Sequence, residues 1–348
     1  MTIESGFSIF VYLISLIFIV MAAAPTTQAG CSCSVGNWDP SAFLNSELDT
    51  QIPQTAGSQD AAGSSGSKES IQQERIASFP NGDIIKPLKS VSSSDVVIDV
   101  TNGDSYASSH IKNAIHIPSS EFLNAEGNLK TDEELAAVLG GAGVSRNDSV
   151  VLYGSKESSG EAEFAFLVLR YLGQEDLKLL DGSLADWNEA GLPNETAANA
   201  RPTAEYLASP VDGVIADYDY VRSGQAQIMD VRPFTEFGKG RITGSTALDP
   251  SNVIKGDSIK DKAGLDTVFS RLDKDLPIVV YSDDYSRSSL VWYALQLMGY
   301  NASIYTWEDW KAHQETGGRN GADETGIAQT GAGQANASGS KYMKLGTT

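Results

Sequence analysis

Cysteine is nearly absent: the chain has two, Cys31 and Cys33, and no thiol follows them. A C-x-C pair is too close for an easy disulfide and is a poor metal site unaided, so a disulfide scaffold and a structural zinc centre are both excluded. Histidine is as scarce. His110, His116 and His313 stand alone, with no ligands at suitable spacing, so no metal and no cofactor is expected. Positive charge is short as well, with 25 Lys and Arg against 45 Asp and Glu, a net charge of −20 and a pI near 4.4. Nucleic acid, whose phosphates demand clustered cations, is therefore not a partner. The acidity is spread along the chain and serves solubility.

A long apolar stretch occurs once, at residues 7–24 (FSIFVYLISLIFIVMAAA). Its length lies between a signal h-region and a spanning helix, and only Glu4 precedes it in place of a positive n-region. Two processing readings compete downstream. Thr27-Gln28-Ala29 offers small residues to a signal peptidase, whereas Ala29-Gly30-Cys31 resembles a lipobox and makes Cys31 a lipidation candidate. Either reading places the protein outside the cytoplasm: a lipid on Cys31 or a retained leader tethers it to a membrane, and cleavage after Ala29 exports it free of one. Asn147, Asn194, Asn301 and Asn336 each open an N-x-S/T triplet that could accept glycan on such a route.

Five segments follow: a signal or anchor over 1–30, a disordered Ser/Gly/Gln-rich tether over 31–83, folded units over 84–195 and 204–314, and a flexible tail over 315–348. The tether (QTAGSQDAAGSSGSKES) and the tail cannot bury enough apolar surface to order themselves. With 348 residues, 41% of them hydrophobic, the remainder can bury a sizeable core, and the length suits two domains. Short β-branched strands at 96–100, 149–153, 177–180, 228–231, 278–281 and 302–305 alternate with helical patterns at 161–172, 182–190, 290–299 and 307–313. The class is α/β, each unit a mostly parallel sheet with helices on both faces.

The strand at 278–281 leads into Ser282, Asp283, Asp284, Tyr285, Ser286, Arg287 and Ser288. Ser288 and Ser289 are expected to cap the following helix, in which Leu290, Tyr293, Ala294, Leu297 and Met298 form one buried stripe. Such a strand-to-helix loop gathers backbone N–H groups into an anion cradle. Arg287 beside it could hold an oxyanion or a partner's carboxylate, although Asp283 and Asp284 oppose this. The nucleophile's natural place, the first residue of the loop, is filled by Ser282, and no base accompanies it.

The pattern repeats. Residues 98–118 (IDVTNGDSYASSHIKNAIHIP) answer to 229–250 (MDVRPFTEFGKGRITGSTALDP), 149–173 answer to 277–299, and 177–191 answer to 302–314. Asp99 and Asp230 end strands and are read as holding the following loop through backbone N–H groups or Arg232, not as catalytic acids. Trp187, Trp307 and Trp310 are read as core or rim packing.

These blocks resemble the rhodanese homology domain, in tandem as in two-domain sulfurtransferases. The resemblance rests on Asp99, Tyr106, His110-Ile111, Ala114 and Pro118, on Asp230, Arg232, Phe237, Gly240, Ile242, Gly244 and Ala247, and on Leu180-Asp181-Gly182 with Trp187. It covers about 230 residues, with Ser109 and Arg241 as departures. It implies that His110 is structural and that the catalytic Cys of a C-x-x-G-x-R loop falls at Gly154 in the first copy and at Ser282 in the second. Arg287 matches the loop's terminal Arg, Tyr285 replaces its Gly, and the first loop runs about two residues longer. The function expected is a binding module without sulfurtransferase turnover, its partner a protein or a small sulfur oxyanion. Two alternatives stand beside it: a thiosulfate or 3-mercaptopyruvate sulfurtransferase with an atypical nucleophile, and a purely structural envelope protein.

Overall fold

The computed structural model describes residues 68–320; the leader, Cys31, most of the tether and all but the start of the tail lie outside the described residues. In the first repeat the elements run α1 (Lys68–Ser78), β1 (Ile85–Lys86), β2 (Asp95–Asp99), α2 (Gly103–Ser108), β3 (His110–Ile111), β4 (Ile115–His116), α3 (Asp132–Gly141), β5 (Ser149–Tyr153), α4 (Glu161–Tyr171), β6 (Leu177–Leu180), α5 (Leu184–Glu189) and β7 (Asn194–Glu195). The second runs α6 (Tyr218–Arg222), β8 (Gln227–Asp230), α7 (Phe234–Lys239), β9 (Thr246–Ala247), β10 (Ile254–Lys255), β11 (Ser258–Ile259), α8 (Lys262–Val268), β12 (Ile278–Ser282), α9 (Tyr285–Leu297), β13 (Ala302–Thr306) and α10 (Trp307–Asn320).

The main sheets have the orders β1-β6-β5-β2-β4 and β13-β12-β8-β9, with every pairing parallel. Parallel strands need crossovers, and helices supply them on both faces. Alternation along each strand then divides the core. Val96, Ile98, Val150, Leu152, Ile278 and Val280 join one large core that spans both repeats. Val97, Val151 and Tyr153 point to a separate core under Trp187 in the first repeat, and Val279 and Tyr281 to one lined by Trp307 and Trp310 in the second.

The shared core is built by α4 and α9, which pack against each other across the seam between the repeats. Residues 162–169 of α4 and 288–295 of α9 are all buried. A helix enclosed on every side needs no polar face, so the single stripe expected on α9 is replaced by burial all round. Aromatic rings lock the seam: Phe164 stacks on Tyr285 at 5.2 Å, and Phe166 meets Tyr293 edge-on at 5.1 Å.

Two boundaries differ from expectation. Helix α9 starts three residues before Ser288, at Tyr285, with Asp284 as its cap, and Ser288 and Ser289 lie buried within it. The tether assigned up to residue 83 ends sooner, because residues 68–78 form α1. This segment has no core of its own and uses another: Phe79 is buried, Arg75 pairs with Asp181 at 2.5 Å, and Asn81 bonds the carbonyls of Leu297 and Gln296 in α9. Helix α10 likewise continues to Asn320, past the point where the tail was expected to begin.

If α1 is anchored in this way, Phe79→Ala should lower the unfolding free energy by about 3 kcal/mol. Arg75→Ala should cost about 1–2 kcal/mol. Both are read from urea midpoints.

Candidate functional site

The site is framed by one device that occurs twice. Asp99 ends β2 and is buried; its Oδ1 accepts from the Thr101 N–H (2.9 Å) and hydroxyl (2.6 Å), and its Oδ2 accepts from the Tyr153 hydroxyl at 2.5 Å. Tyr153 in turn accepts the Ile111 N–H at 3.0 Å. In the second repeat Asp230 accepts from the Arg232 N–H and Nε on Oδ1, and from Arg232 Nη2 (2.7 Å) and the Tyr281 hydroxyl (2.5 Å) on Oδ2. Tyr281 accepts the Ile242 N–H at 3.2 Å. Each clamp ties two neighbouring strands to the segment that follows.

The charges fit this holding role. Burial, then Asp99, raises the Tyr153 pKa, and burial, then Asp230, pushes Tyr281 up to about 12, so both phenols stay protonated donors. Burial opposes the charge on Arg232, but Asp230 outweighs it and raises its pKa. Arg232 also donates to the Gly240 carbonyl at 2.7 Å and lies 3.8 Å from the Trp307 ring centre. His110 is fully buried, stacked on Tyr106 at 3.8 Å, with its ring nitrogens 2.8 Å from the Tyr106 carbonyl and 3.1 Å from that of Ala197. Nothing remains free on that ring for a metal. Among the described residues no His, Cys, Asp and Glu group could hold one.

The second loop stands at the carboxyl end of β12. Ser282 is 2% exposed; its Oγ accepts the Asp284 N–H at 3.2 Å and donates to Asp283 Oδ1 at 3.3 Å. The cradle beyond it has an occupant from within the chain. Asp284 Oδ1 accepts the N–H groups of Ser286 (2.8 Å) and Arg287 (3.4 Å), as an N-cap does. Arg287 Nε donates to the Val231 carbonyl at 3.1 Å, tying the loop to the end of β8. Tyr285 turns into the seam, where its hydroxyl accepts the Leu129 N–H at 3.4 Å and burial raises its pKa.

The first loop is used as an interface. Glu161 Oε2 folds back onto the Ser155 hydroxyl at 2.9 Å and the Ser159 hydroxyl at 3.2 Å, beside Gly154. The Ser158 N–H donates to the Asp257 carbonyl, and Glu157 accepts the Ile259 N–H of the β10–β11 hairpin. Gly160 is required here. Its φ is +73°, and a Cβ at that position would lie 2.3 Å from the Ser286 carbonyl oxygen in the second loop.

Sequence reasoning brought Asp99, Asp230, Arg232 and the 282–288 loop to notice but missed Tyr153, Tyr281, Glu157 and Glu163. The two tyrosines had a signal, since each closes an equivalent strand, VVLY and IVVY. The glutamates had none.

The rhodanese-like domain family matches residues 85–190 and 218–313, so the chain belongs to that family, with two copies of the domain. It is similar to the sulfur carrier protein TtuD of Thermus thermophilus, 28% identical over 211 residues that span 52% of this chain and 74% of that protein. It is also similar to a thiosulfate sulfurtransferase of Corynebacterium glutamicum, 27% identical over 242 residues, 60% of this chain and 80% of the relative. The fold matches SseA from Escherichia coli, a 3-mercaptopyruvate sulfotransferase, with a TM-score of 0.59 and 21% identity over 64% of this chain and 97% of that one.

If the clamps hold the strand ends, Tyr281→Phe should cost about 1–3 kcal/mol, because a buried carboxylate oxygen and a buried N–H both lose a partner. Tyr153→Phe should cost as much, measured by chemical denaturation.

Proposed function

We propose that this rhodanese-like protein performs no sulfur-transfer turnover and that its second loop serves as a partner-binding surface. The observation that carries the reading is the Asp284 carboxylate in the N–H cradle, with a buried serine, Ser282, as the first residue of the loop. A thiolate or persulfide needs those donors, and a neighbouring Asp283 carboxylate disfavours negative charge on Ser282. An incoming oxyanion would have to displace Asp284 against like charge. Asp283 and Asp284 are exposed, so a cationic group on a protein partner suits the loop better than sulfate or thiosulfate. The proposal places this module outside the cytoplasm, tethered through residues 7–24 if the leader is retained or through a lipid on Cys31 if the lipobox is used. Mass measurement of the mature amino terminus distinguishes the two processing routes.

The sulfurtransferase reading draws support from the relatives' names, and one assay separates the two. The full chain given thiosulfate and cyanide is expected to form thiocyanate at the uncatalysed rate. Rapid production lost on Ser282→Ala would overturn the proposal. Production lost in a Cys31→Ser, Cys33→Ser chain would instead assign the chemistry to the juxtamembrane thiols.

A second test targets the cradle. In the Cys31→Ser, Cys33→Ser background, Ser282→Cys alone should alkylate slowly at neutral pH. Adding Asp284→Gly, which leaves the N–H donors open, should speed iodoacetamide labelling about threefold, since the roughly tenfold thiolate gain of one pKa unit is partly offset by the weaker nucleophilicity of a less basic thiolate.

A further inference from the structure

The seam between the repeats encloses charged groups that neither the clamps nor the loops account for. Glu163, in the first turn of α4, is fully buried, and its carboxylate meets no donor among the described residues other than its own backbone N–H. It lines a small cavity of about 10 Å³, room for one water, with Arg75, Glu157, Asp181, Ile259 and Tyr293. The groups facing it come from every neighbouring element. Helix α1 brings Arg75, which is bonded to Asp181 Oδ1 and to the Ile259 carbonyl at 2.8 Å. The turn before α4 brings Glu157, which accepts the Ile259 N–H and feels the charge of Asp186 on α5; α4 adds Glu161. Helix α9 brings Tyr293, whose hydroxyl is spent on the Ile84 carbonyl at 3.1 Å. One guanidinium therefore serves several carboxyls, and it is committed to Asp181.

An ionised Glu163 in this place would be an unpaired buried charge, which proteins avoid by keeping the group neutral. We propose that Glu163, with Glu157 beside it, is a proton-operated latch. With Glu163 protonated, α1, the two repeats and the 254–259 hairpin close on one another. Loss of the proton loosens the seam where the first loop touches the second, through Gly160 and Ser286.

Burial, then the charge of Glu157, holds the Glu163 pKa well above the usual carboxylate range, and burial pushes Glu157 up to about 7. A folded pKa above the unfolded value of 4.5 means that the folded chain keeps a proton the unfolded chain releases. The stabilisation is complete below pH 4.5 and declines as pH rises, through about 7 for Glu157, with Glu163 adding to the decline in the same direction.

The test is a melting series from pH 5 to 9 on the whole chain and on Glu163→Gln, the isosteric neutral form. Amide exchange of residues 285–293 in the folded state is read alongside and corrected for the intrinsic pH dependence. The wild type should lose at least about 4 °C more than Glu163→Gln over this range, and Glu163→Gln should melt higher at pH 8. Exchange across 285–293 should rise with pH in the wild type alone. Parallel melting profiles overturn the latch, as does a Glu163→Gln chain that fails to fold, since a neutral amide should fit. A stability difference without the exchange difference also overturns it, because the seam would then not be the part that yields. None of these outcomes bears on sulfur transfer.

Discussion

The structure depends on two helices that have no polar side. Helices α4 and α9 lie between their own sheets and each other, so each completes the core of both repeats. Burying apolar surface at roughly 25 cal/mol per Å² makes such a seam a dominant source of cohesion, and neither repeat could expose that face to water without loss. Other contacts between the repeats, among them Tyr285 on Phe164, Gly160 on Ser286 and Glu157 on Ile259, follow from that packing.

This arrangement changes the meaning of the two loops. In an isolated strand-loop-helix unit, the helix terminus presents its N–H groups to solvent and to whatever anion arrives. Here the first loop is folded under the hairpin of the second repeat, and the second has one residue, Tyr285, drawn into the seam. The terminus is capped by Asp284, an acid supplied by the chain. What is left at the surface is acidic, the exposed Asp283 and Asp284.

Much of the architecture was legible in the sequence because strands buried on both faces read as short continuous β-branched runs. The repeat then fixed their order, and Ser149–Tyr153 and Leu177–Leu180 fall where the pattern put them. The departures share a cause. Periodicity assumes a helix with one wet face, which α9 lacks, and composition assumes that a segment must bury its own residues, which α1 does not. In the loop, residue types were readable but geometry was not: Asp283 and Asp284 look alike in sequence, yet only Asp284 turns its carboxylate onto the helix amides. Glu163 was invisible because a glutamate in a helix gives no sign of which neighbours it will face.

The duplicated clamp also bears on what the two halves depend on. Thr101 in one half and Arg232 in the other satisfy equivalent aspartates, Asp99 and Asp230, while a tyrosine, Tyr153 or Tyr281, completes each clamp. The strand ends are thus fastened without help from whatever sits at Gly154 or Ser282. A frame secured independently of those two positions lets either of them change at little structural cost, and each half is free to take up work unrelated to the other's.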